Sequence, residues 1–257
     1  MLKLTLGYST LASRVEGMVE PPKHDGWEVA IVVQNPGGSN WETDRSHQLS
    51  QRQDLSIEVL ESKGVAKSRN RAIWLARAEY LVFSDDDISF DTAGLEAALR
   101  FMDLNPKYSL LLAQATDPTG MLRKRYPKKV TKLNAFNSAR AATYEMIIRV
   151  DAIRQFGVQF DERFGAGAPN YLGDEYIFIV DLLRAGGKAV FAPITIATHP
   201  IESSGSRWGS DSDRRARAVI FTRVFGAFAP FIRLPFGLRR LRELGSIKNL
   251  VLFVLGR

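Results

Sequence analysis

The chain has 257 residues, 45% of them hydrophobic, and a formal net charge of +7. This length and composition are those of an ordinary folded protein with one full core. The chain has no cysteine, which excludes disulfides, a thiolate metal site and a cysteine nucleophile. The first ten residues do not resemble a secretory signal, and no apolar run approaches the ~20 residues of a spanning helix, so we expect a cytoplasmic protein.

The first part of the chain alternates predicted strands with loops and helices. Residues 2–6, 29–33 and 57–60 are predicted strands, and polar or turn-rich loops follow the first two at residues 7–10 and 34–38. Strands and helices that alternate at these spacings predict an α/β fold with a doubly wound, mostly parallel sheet.

The next stretch is the most informative one. Residues 65–76 have apolar side chains at helical spacing, and residues 80–83 form a continuous apolar run typical of a buried parallel strand. Three aspartates, residues 85–87, follow directly. Ligands bind at the carboxyl ends of strands in such sheets, so these carboxylates predict a Mg²⁺ or Mn²⁺ site. The alternative is a solvated turn that caps the next helix, but Asp91 is better placed to be that cap.

The middle of the chain has weaker signals. We predict a helix over residues 95–102, strands over 110–115 and 146–148, and a short helix that is capped by Asp151. Residues 117–137 are rich in proline, glycine and basic side chains. This composition predicts a solvated, mobile loop, with binding of phosphate or of an acceptor as the alternative.

A second acidic pair, Asp174 and Glu175, opens a predicted helix that ends before Gly186. Acidic side chains in a first turn can simply complement the helix dipole, at ~0.3–1 kcal/mol each, or they can perform chemistry. His199 follows the last predicted strand, where a single histidine is structural by default. The small polar residues 202–207 predict a loop that orders over bound substrate.

The C-terminal residues 207–257 carry 11 Lys and Arg against 3 Asp and Glu, a net charge of +8, so the other 206 residues carry −1. We therefore divide the chain into a catalytic domain, residues 1–206, and a basic amphipathic helical extension, residues 207–257. Aromatic and basic side chains alternate in the extension and predict peripheral binding to an anionic membrane surface. A helical packing arm or an oligomer contact is the alternative. The nearly neutral body argues against a nucleic-acid partner.

Three motifs in order carry a resemblance to a known family. Residues 64–72 (GVAKSRNRA), residues 79–80 (EY) and residues 83–87 (FSDDD) resemble a succession found in family 2 glycosyltransferases with the GT-A fold. Residues 160–164 (FDERF) are similar to a further phrase of that family. The resemblance spans roughly residues 2 to 199. It implies a GT-A fold and transfer of a sugar from a nucleotide-diphosphate donor with inversion.

The resemblance also implies which residues form the donor site. Asp87 would bind Mn²⁺ or Mg²⁺ directly, Asp85 would lie near the ribose or the metal's waters, and His199 would join the metal or the diphosphate. Tyr8 would stack on the base, with core packing as the alternative, and Asn35 stands where the family usually has an acidic residue. The residues expected at the nucleotide sugar are Tyr8, Asn35, Arg69, Asp85 and Asp86.

The acidic pair has an implied catalytic role. Inverting enzymes of the family carry two acids before this helix, and the second acts as general base, which assigns that role to Glu175 and matches Asp174 to the first. The family more often has the order Glu-Asp, so the choice between the two carboxyls stays open.

The implied function is metal-dependent transfer of a sugar to a hydroxyl of a glycan or lipid-linked acceptor, in the biosynthesis of a bacterial surface polysaccharide such as lipopolysaccharide or capsule. The protein would then work at the inner face of the cytoplasmic membrane. The alternative is a catalytically inactive nucleotide-sugar or glycan-binding protein on the same scaffold. A nucleotidyltransferase is disfavoured because the expected glycine-rich phosphate-binding signature near the amino terminus is missing.

Overall fold

The computed structural model describes residues 2–38, 41–199 and 210–257. A mixed sheet lies at the centre of the fold. In chain order its strands are β1 (Leu4–Leu11), β2 (Trp27–Gln34), β3 (Leu55–Leu60), β4 (Tyr80–Asp85), β5 (Ser89–Phe90), β6 (Leu110–Thr116), β7 (Thr131–Lys132), β8 (Met146–Arg149) and β9 (Ala189–Thr198).

The sheet is ordered β3, β2, β1, β4, β8, β6, β9, β5, and β7 pairs with β9. The strands β3, β2, β1 and β4 are mutually parallel, as are β6 and β9. Strand β8 lies antiparallel between β4 and β6. Since the parallel pairs are the longer ones, the prediction of a doubly wound, mostly parallel α/β fold is confirmed.

Helices cover both faces of the sheet. They are α1 (Asp44–Ser50), α2 (Val65–Leu75), α3 (Thr92–Leu104), α4 (Val150–Phe156), α5 (Asp174–Arg184), α6 (Asp211–Phe225), α7 (Ala229–Arg239), α8 (Leu241–Leu244) and α9 (Ile247–Leu255). One apolar core contains side chains of α1 and α3, such as Leu49 and Leu99, whereas a second contains side chains of α2, α4 and α5, such as Ile73, Ile153 and Phe178.

Strands β1, β2 and β4 end at the same edge of the sheet. Ser9 of β1 is in register with Asp85, and Leu11 is in register with Gln34 at the end of β2. The residues that follow these strands therefore meet at one edge, which we call the carboxyl edge. It is the edge at which open α/β sheets bind their ligands.

The prediction that residues 7–10 form a loop is wrong, because β1 continues to Leu11. The glycine in this segment serves close packing instead of a turn. A Cβ on Gly7 would lie 2.7 Å from Leu81 Cδ1 and 3.2 Å from the Ala72 Cβ. Glycine therefore lets α2 and β4 approach β1 at this point.

Two predicted caps have different outcomes. Asp91 caps α3 as predicted, since its carboxylate accepts a hydrogen bond from the Ala93 N–H at 3.1 Å. Asp151 is not a cap, because Arg149 holds that position and Asp151 lies in the first turn of α4. Its carboxylate is placed to complement the helix dipole instead of accepting a capping hydrogen bond. The predicted loop 117–137 is mostly irregular, but it contributes the short strand β7.

The C-terminal helices pack on the body through α6. Ile220 and Val224 of α6 join an apolar cluster with Tyr176, Ile177 and Val180 of α5. Within the described part of the chain, Asp211–Arg239 alone is long and apolar enough to pass for a membrane-crossing helix, and 22% of the window that qualifies is buried. A single such stretch is weak evidence for a span, and this one is interrupted by a 3₁₀ turn at Gly226–Phe228.

Candidate active site

Arg69 joins the two acidic groups that the sequence separates by about ninety positions. It lies on α2 with 5% of its surface exposed. One terminal nitrogen donates to Asp174 and lies 3.6 Å from Glu175 Oε1, and the other donates to Asp85 Oδ1 at 3.2 Å. Since a guanidinium presents several donors in one plane, a single side chain holds three carboxylates together.

Glycines allow the backbone to place the acidic pair there. Gly173 precedes α5 in the left-handed conformation, with φ of 92°, and a Cβ on it would lie 2.5 Å from Ile220 Cδ1. Gly165 has φ of 95°, and a Cβ there would lie 2.8 Å from Asp174 Cγ. Both positions combine positive φ with a close approach, so each requires glycine. Asp174 and Glu175 consequently occupy the first turn of α5, as predicted.

The two acids of this pair have different environments. Burial, together with the neighbouring Glu175, raises the pKa of Asp174 to about 7. Burial also opposes the charged form of Glu175, but Arg69 and the Thr143 hydroxyl, which donates at 2.6 Å, outweigh it and lower the Glu175 pKa. The side chain of Glu175 is 21% exposed, against 5% for Asp174. Glu175 is therefore the ionised and more accessible member of the pair at neutral pH.

The aspartate run splits into one inward and two outward side chains. Asp86 is buried, accepts from the Thr10 hydroxyl at 2.6 Å and pairs with Arg14 at 2.5 Å. Burial raises the pKa of Asp86. Asp85 and Asp87 are more than a third exposed and face the carboxyl edge. Asp86 thus anchors the turn to β1, while its neighbours are available at the edge.

Asp87 and His199 come close enough to share a ligand. His199 Nε2 lies 4.0 Å from Asp87 Oδ1, and that oxygen is buried without a hydrogen-bond partner in the described structure. The His199 ring stacks on Tyr144 with centroids 4.8 Å apart, and its backbone N–H donates to Thr116. A buried carboxylate oxygen without a donor beside an imidazole nitrogen fits a divalent cation. No group of three His, Asp or Glu side chains in the described ranges forms a ready-made metal site.

Tyr8 and Asn35 lie nearby but are enclosed. Tyr8 is fully buried in the core and meets the edge of Phe90 at 6.2 Å between ring centroids. This placement favours core packing, the alternative that the sequence left open. Asn35 directly follows β2, is buried, and donates its backbone N–H to Leu60. The predicted loop at 202–207 lies outside the described residues.

The sequence did not predict the 3₁₀ turn Thr143–Glu145, whose side chains contact two of the site residues. Thr143 donates to Glu175, and Tyr144 stacks on His199. The turn lies directly before β8, and no motif or periodicity marks it. The Thr143 contact to α5 spans 32 positions and exists only in the folded chain.

The sequence profile described as Glycosyl transferase family 2 matches residues 9–163, which is more than half of the chain. No curated protein is matched by the sequence.

Solved structures with the same fold include three of S. aureus TarS. One TarS structure has a TM-score of 0.60 at 16% identity and covers 93% of this chain, which spans 43% of the TarS chain in that structure. TarS 1-349 with UDP has a TM-score of 0.58 at 17% identity, over 93% of this chain and 72% of the other. TarS 1-349 with UDP-GlcNAc has a TM-score of 0.60 at 16% identity, over 98% of this chain and 81% of the TarS chain. At these identities the likeness shows the fold.

Proposed function

The chain belongs to glycosyl transferase family 2, and from this premise we propose that it is a metal-dependent, inverting enzyme of cell-surface polysaccharide synthesis. It moves a sugar from a nucleotide-diphosphate donor to a hydroxyl of a glycan or lipid-linked acceptor. The observation that carries the proposal is Arg69, which brings Asp85 within the same cluster as Asp174 and Glu175. A donor held at Asp85 would then lie beside the proposed base.

We assign the base role to Glu175. Its carboxylate is ionised, partly exposed and oriented by the Thr143 hydroxyl, so it can accept the proton of an attacking acceptor hydroxyl. A positioned base of this kind contributes about 10²–10⁴-fold to rate. Asp174 and Arg69 are positioning residues in this proposal, because each is buried and acts through its contacts.

The residues that would hold the divalent cation are Asp87, Asp85 and His199. When bound there, Mn²⁺ or Mg²⁺ would supply positive charge for the diphosphate leaving group. The remaining residues that we propose for the donor site are Tyr8, Asn35, Arg69 and Asp86. Of these, three would act indirectly: Tyr8 through packing, Arg69 through the carboxylates that it holds, and Asp86 through the anchored turn. UDP-sugars are the first donors to test, because TarS 1-349 was solved with UDP and with UDP-GlcNAc.

The test of the donor site is Mn²⁺-dependent binding and hydrolysis of a nucleotide-sugar panel. Asp87→Ala should lose metal-dependent binding while the fold is kept, since Asp87 Oδ1 has no hydrogen-bond partner in the described structure to lose. Asp91→Ala is the matched control, because it removes an acid at the same edge that only caps α3. Wild-type protein that is folded and binds no donor would contradict the proposal and favour an inactive glycan-binding protein.

We also propose that the C-terminal extension, residues 207–257, attaches the enzyme to the anionic inner face of the cytoplasmic membrane. Phe231, Leu234 and Leu238 recur along one side of α7, opposite the buried Arg233 and Gly237. The described part of the extension, residues 210–257, has seven large apolar side chains that are 46% to 74% exposed: Phe228, Phe231, Leu234, Leu238, Ile247, Val251 and Leu255. We call this set the apolar ridge.

Charge complements the apolar ridge. Arg239 of α7, Arg242 of α8 and Lys248 of α9 are exposed. Exposed aromatic and aliphatic side chains with basic neighbours suit the interface of an anionic bilayer, where each basic residue adds about 1 kcal/mol. A lipid-linked acceptor would be present at that surface.

Flotation with phosphatidylglycerol vesicles tests the ridge. The double variant Phe231→Glu with Leu234→Glu should stay in the soluble fraction, whereas wild type should float. Leu104→Glu is the matched control, because Leu104 is an exposed apolar residue of α3 outside the ridge. Equal flotation of the double variant and wild type would refute membrane attachment through this surface.

A further inference from the structure

A basic cavity lies next to the turn that supports Glu175, since Arg140 and Ala141 line it shortly before Thr143. Its volume is about 490 Å³. Leu112 of β6 and Phe191 of β9 form part of its apolar wall, and its basic lining residues are Lys124, Arg125, Lys128 and Arg140. The Tyr126 ring stacks on Phe191 with centroids 6.0 Å apart and fixes this wall. No part of the proposed donor site lines the cavity.

The cavity has positive charge that the described structure does not neutralise. Lys124 pairs with the fully buried Glu145 at 2.7 Å, so its charge is compensated. No acidic residue is among the described residues that line the cavity, and Arg125, Lys128 and Arg140 form no ion pair within the described ranges. Three uncompensated cations around one cavity predict an anionic ligand.

The cavity is linked to the proposed base through the turn Thr143–Glu145. Glu145 accepts from Lys124 and, at 2.6 Å, from the Tyr126 hydroxyl, both on the cavity side. Two residues earlier in the same turn, Thr143 donates to Glu175. From Arg140 to Thr143 the backbone spans at most about 10 Å. An acceptor of a few units could therefore reach from the cavity to Glu175.

We infer that this cavity binds a phosphate group of the acceptor, so that the acceptor is a phosphate-bearing glycan. The inference rests on the proposed function. The guanidinium groups of Arg125 and Arg140 suit phosphate oxygens, and Lys128 adds a third charge. The wall formed by Leu112 and Phe191 would contact the uncharged part of the ligand. A phosphate of the donor is the other source of this chemistry, and the experiment separates the two.

The experiment titrates sn-glycerol 3-phosphate into the full chain by calorimetry, with glycerol as the neutral comparison. Wild type should bind the phosphate ester and not glycerol, and binding should weaken with added salt. Arg125→Glu with Lys128→Glu should weaken it by about tenfold or more, since two attractive charges become repulsive. Lys129→Glu is the matched control, because Lys129 is exposed in the same segment but does not line the cavity.

Binding of UDP-GlcNAc with Mn²⁺ is measured in the same proteins. The inference predicts that the double variant keeps donor binding at the wild-type level. Donor binding that falls together with phosphate binding would assign the cavity to the donor and overturn the inference. Equal phosphate-ester binding by the double variant and wild type, or none by wild type, would also overturn it. A wild-type protein that binds the phosphate ester but no donor would contradict the proposed function and not the phosphate site, because the phosphate titration does not use a donor.

Discussion

The carboxyl edge and the C-terminal extension each bury an arginine, but they surround it with different partners. Arg69 lies among Asp85, Asp174 and Glu175, so its single charge faces three carboxyls. Arg233 of α7 donates to the Val254 carbonyl at 2.8 Å and to the Thr222 hydroxyl, and burial lowers its pKa. Around Arg69 the carboxyls outnumber the cation, which leaves negative charge that can attract a metal ion or a proton. Around Arg233 the partners are neutral, and the contacts only hold the helices together.

This difference indicates where chemistry and attachment reside. At the carboxyl edge the inward side chains are charged and the function depends on their mutual distances. In the extension the inward side chains hold α7 against α6 and α9, and the outward apolar ridge carries the proposed function. Substitutions at the edge should therefore change chemistry as well as stability, whereas substitutions in the extension should change stability or location and leave the chemistry unchanged.

The largest expected effect is that of Arg69→Ala. Removal of the cation leaves buried carboxylates without compensation, which costs about 3–5 kcal/mol of the free energy of unfolding. Urea denaturation measures it. Arg100→Ala, which breaks an exposed pair with Glu96, should cost less than about 1 kcal/mol. An Arg69→Ala protein as stable as that control would show that Arg69 does not hold the edge together.

The sequence could predict the acidic edge because its carboxylates lie in two short motifs. Residues 85–87 follow an apolar strand and Asp174 opens a helix, and both signals are local. The inward turn of Asp86 depends on Thr10 and Arg14, which belong to β1 and the 3₁₀ turn after it. Such a contact across strands has no local signal. The misassigned loop at residues 7–10 has the same cause, because Gly7 serves packing against Leu81.

The second expected effect is a pH dependence that belongs to Asp174. Its pKa in the folded state, about 7, lies above the ordinary value of 3.8, so the folded state binds the extra proton between these values. The free energy of unfolding consequently falls as pH rises through this window, by at most about 1.4 kcal/mol per pH unit. Asp174→Asn removes this titration.

The difference in unfolding free energy between Asp174→Asn and wild type should shift in favour of the variant as pH rises from 3.8 to about 7. Urea denaturation at several pH values measures it. Asp103→Asn is the control, and its difference from wild type should shift in the opposite direction with pH. Burial opposes the charged form of Asp103, but Lys3 outweighs burial and lowers the Asp103 pKa. Parallel curves for Asp174→Asn and wild type would contradict the proposed environment of this acid.

The smallest expected effect lies in the extension. A Cβ on Gly237 would lie 2.5 Å from Leu250 Cδ1 and 3.2 Å from Phe253 Cδ1, so Gly237→Ala should displace these side chains between α7 and α9 at a cost of about 1 kcal/mol, because the nearest atom is the end of a flexible side chain. Thermal unfolding measures the loss, and donor binding should not change. Gly17→Ala is the control, because a Cβ there meets no atom within 4 Å. A loss of donor binding in Gly237→Ala would show that the two regions are coupled.

The most direct test of the account compares Glu175→Gln with wild type in a transfer assay that also measures donor binding. The account predicts that turnover falls about 10²–10⁴-fold, because the variant cannot accept the acceptor's proton. Donor binding should stay within about threefold, which is less than 1 kcal/mol. Turnover of Glu175→Gln within about tenfold of wild type would contradict the assignment of Glu175 as the base.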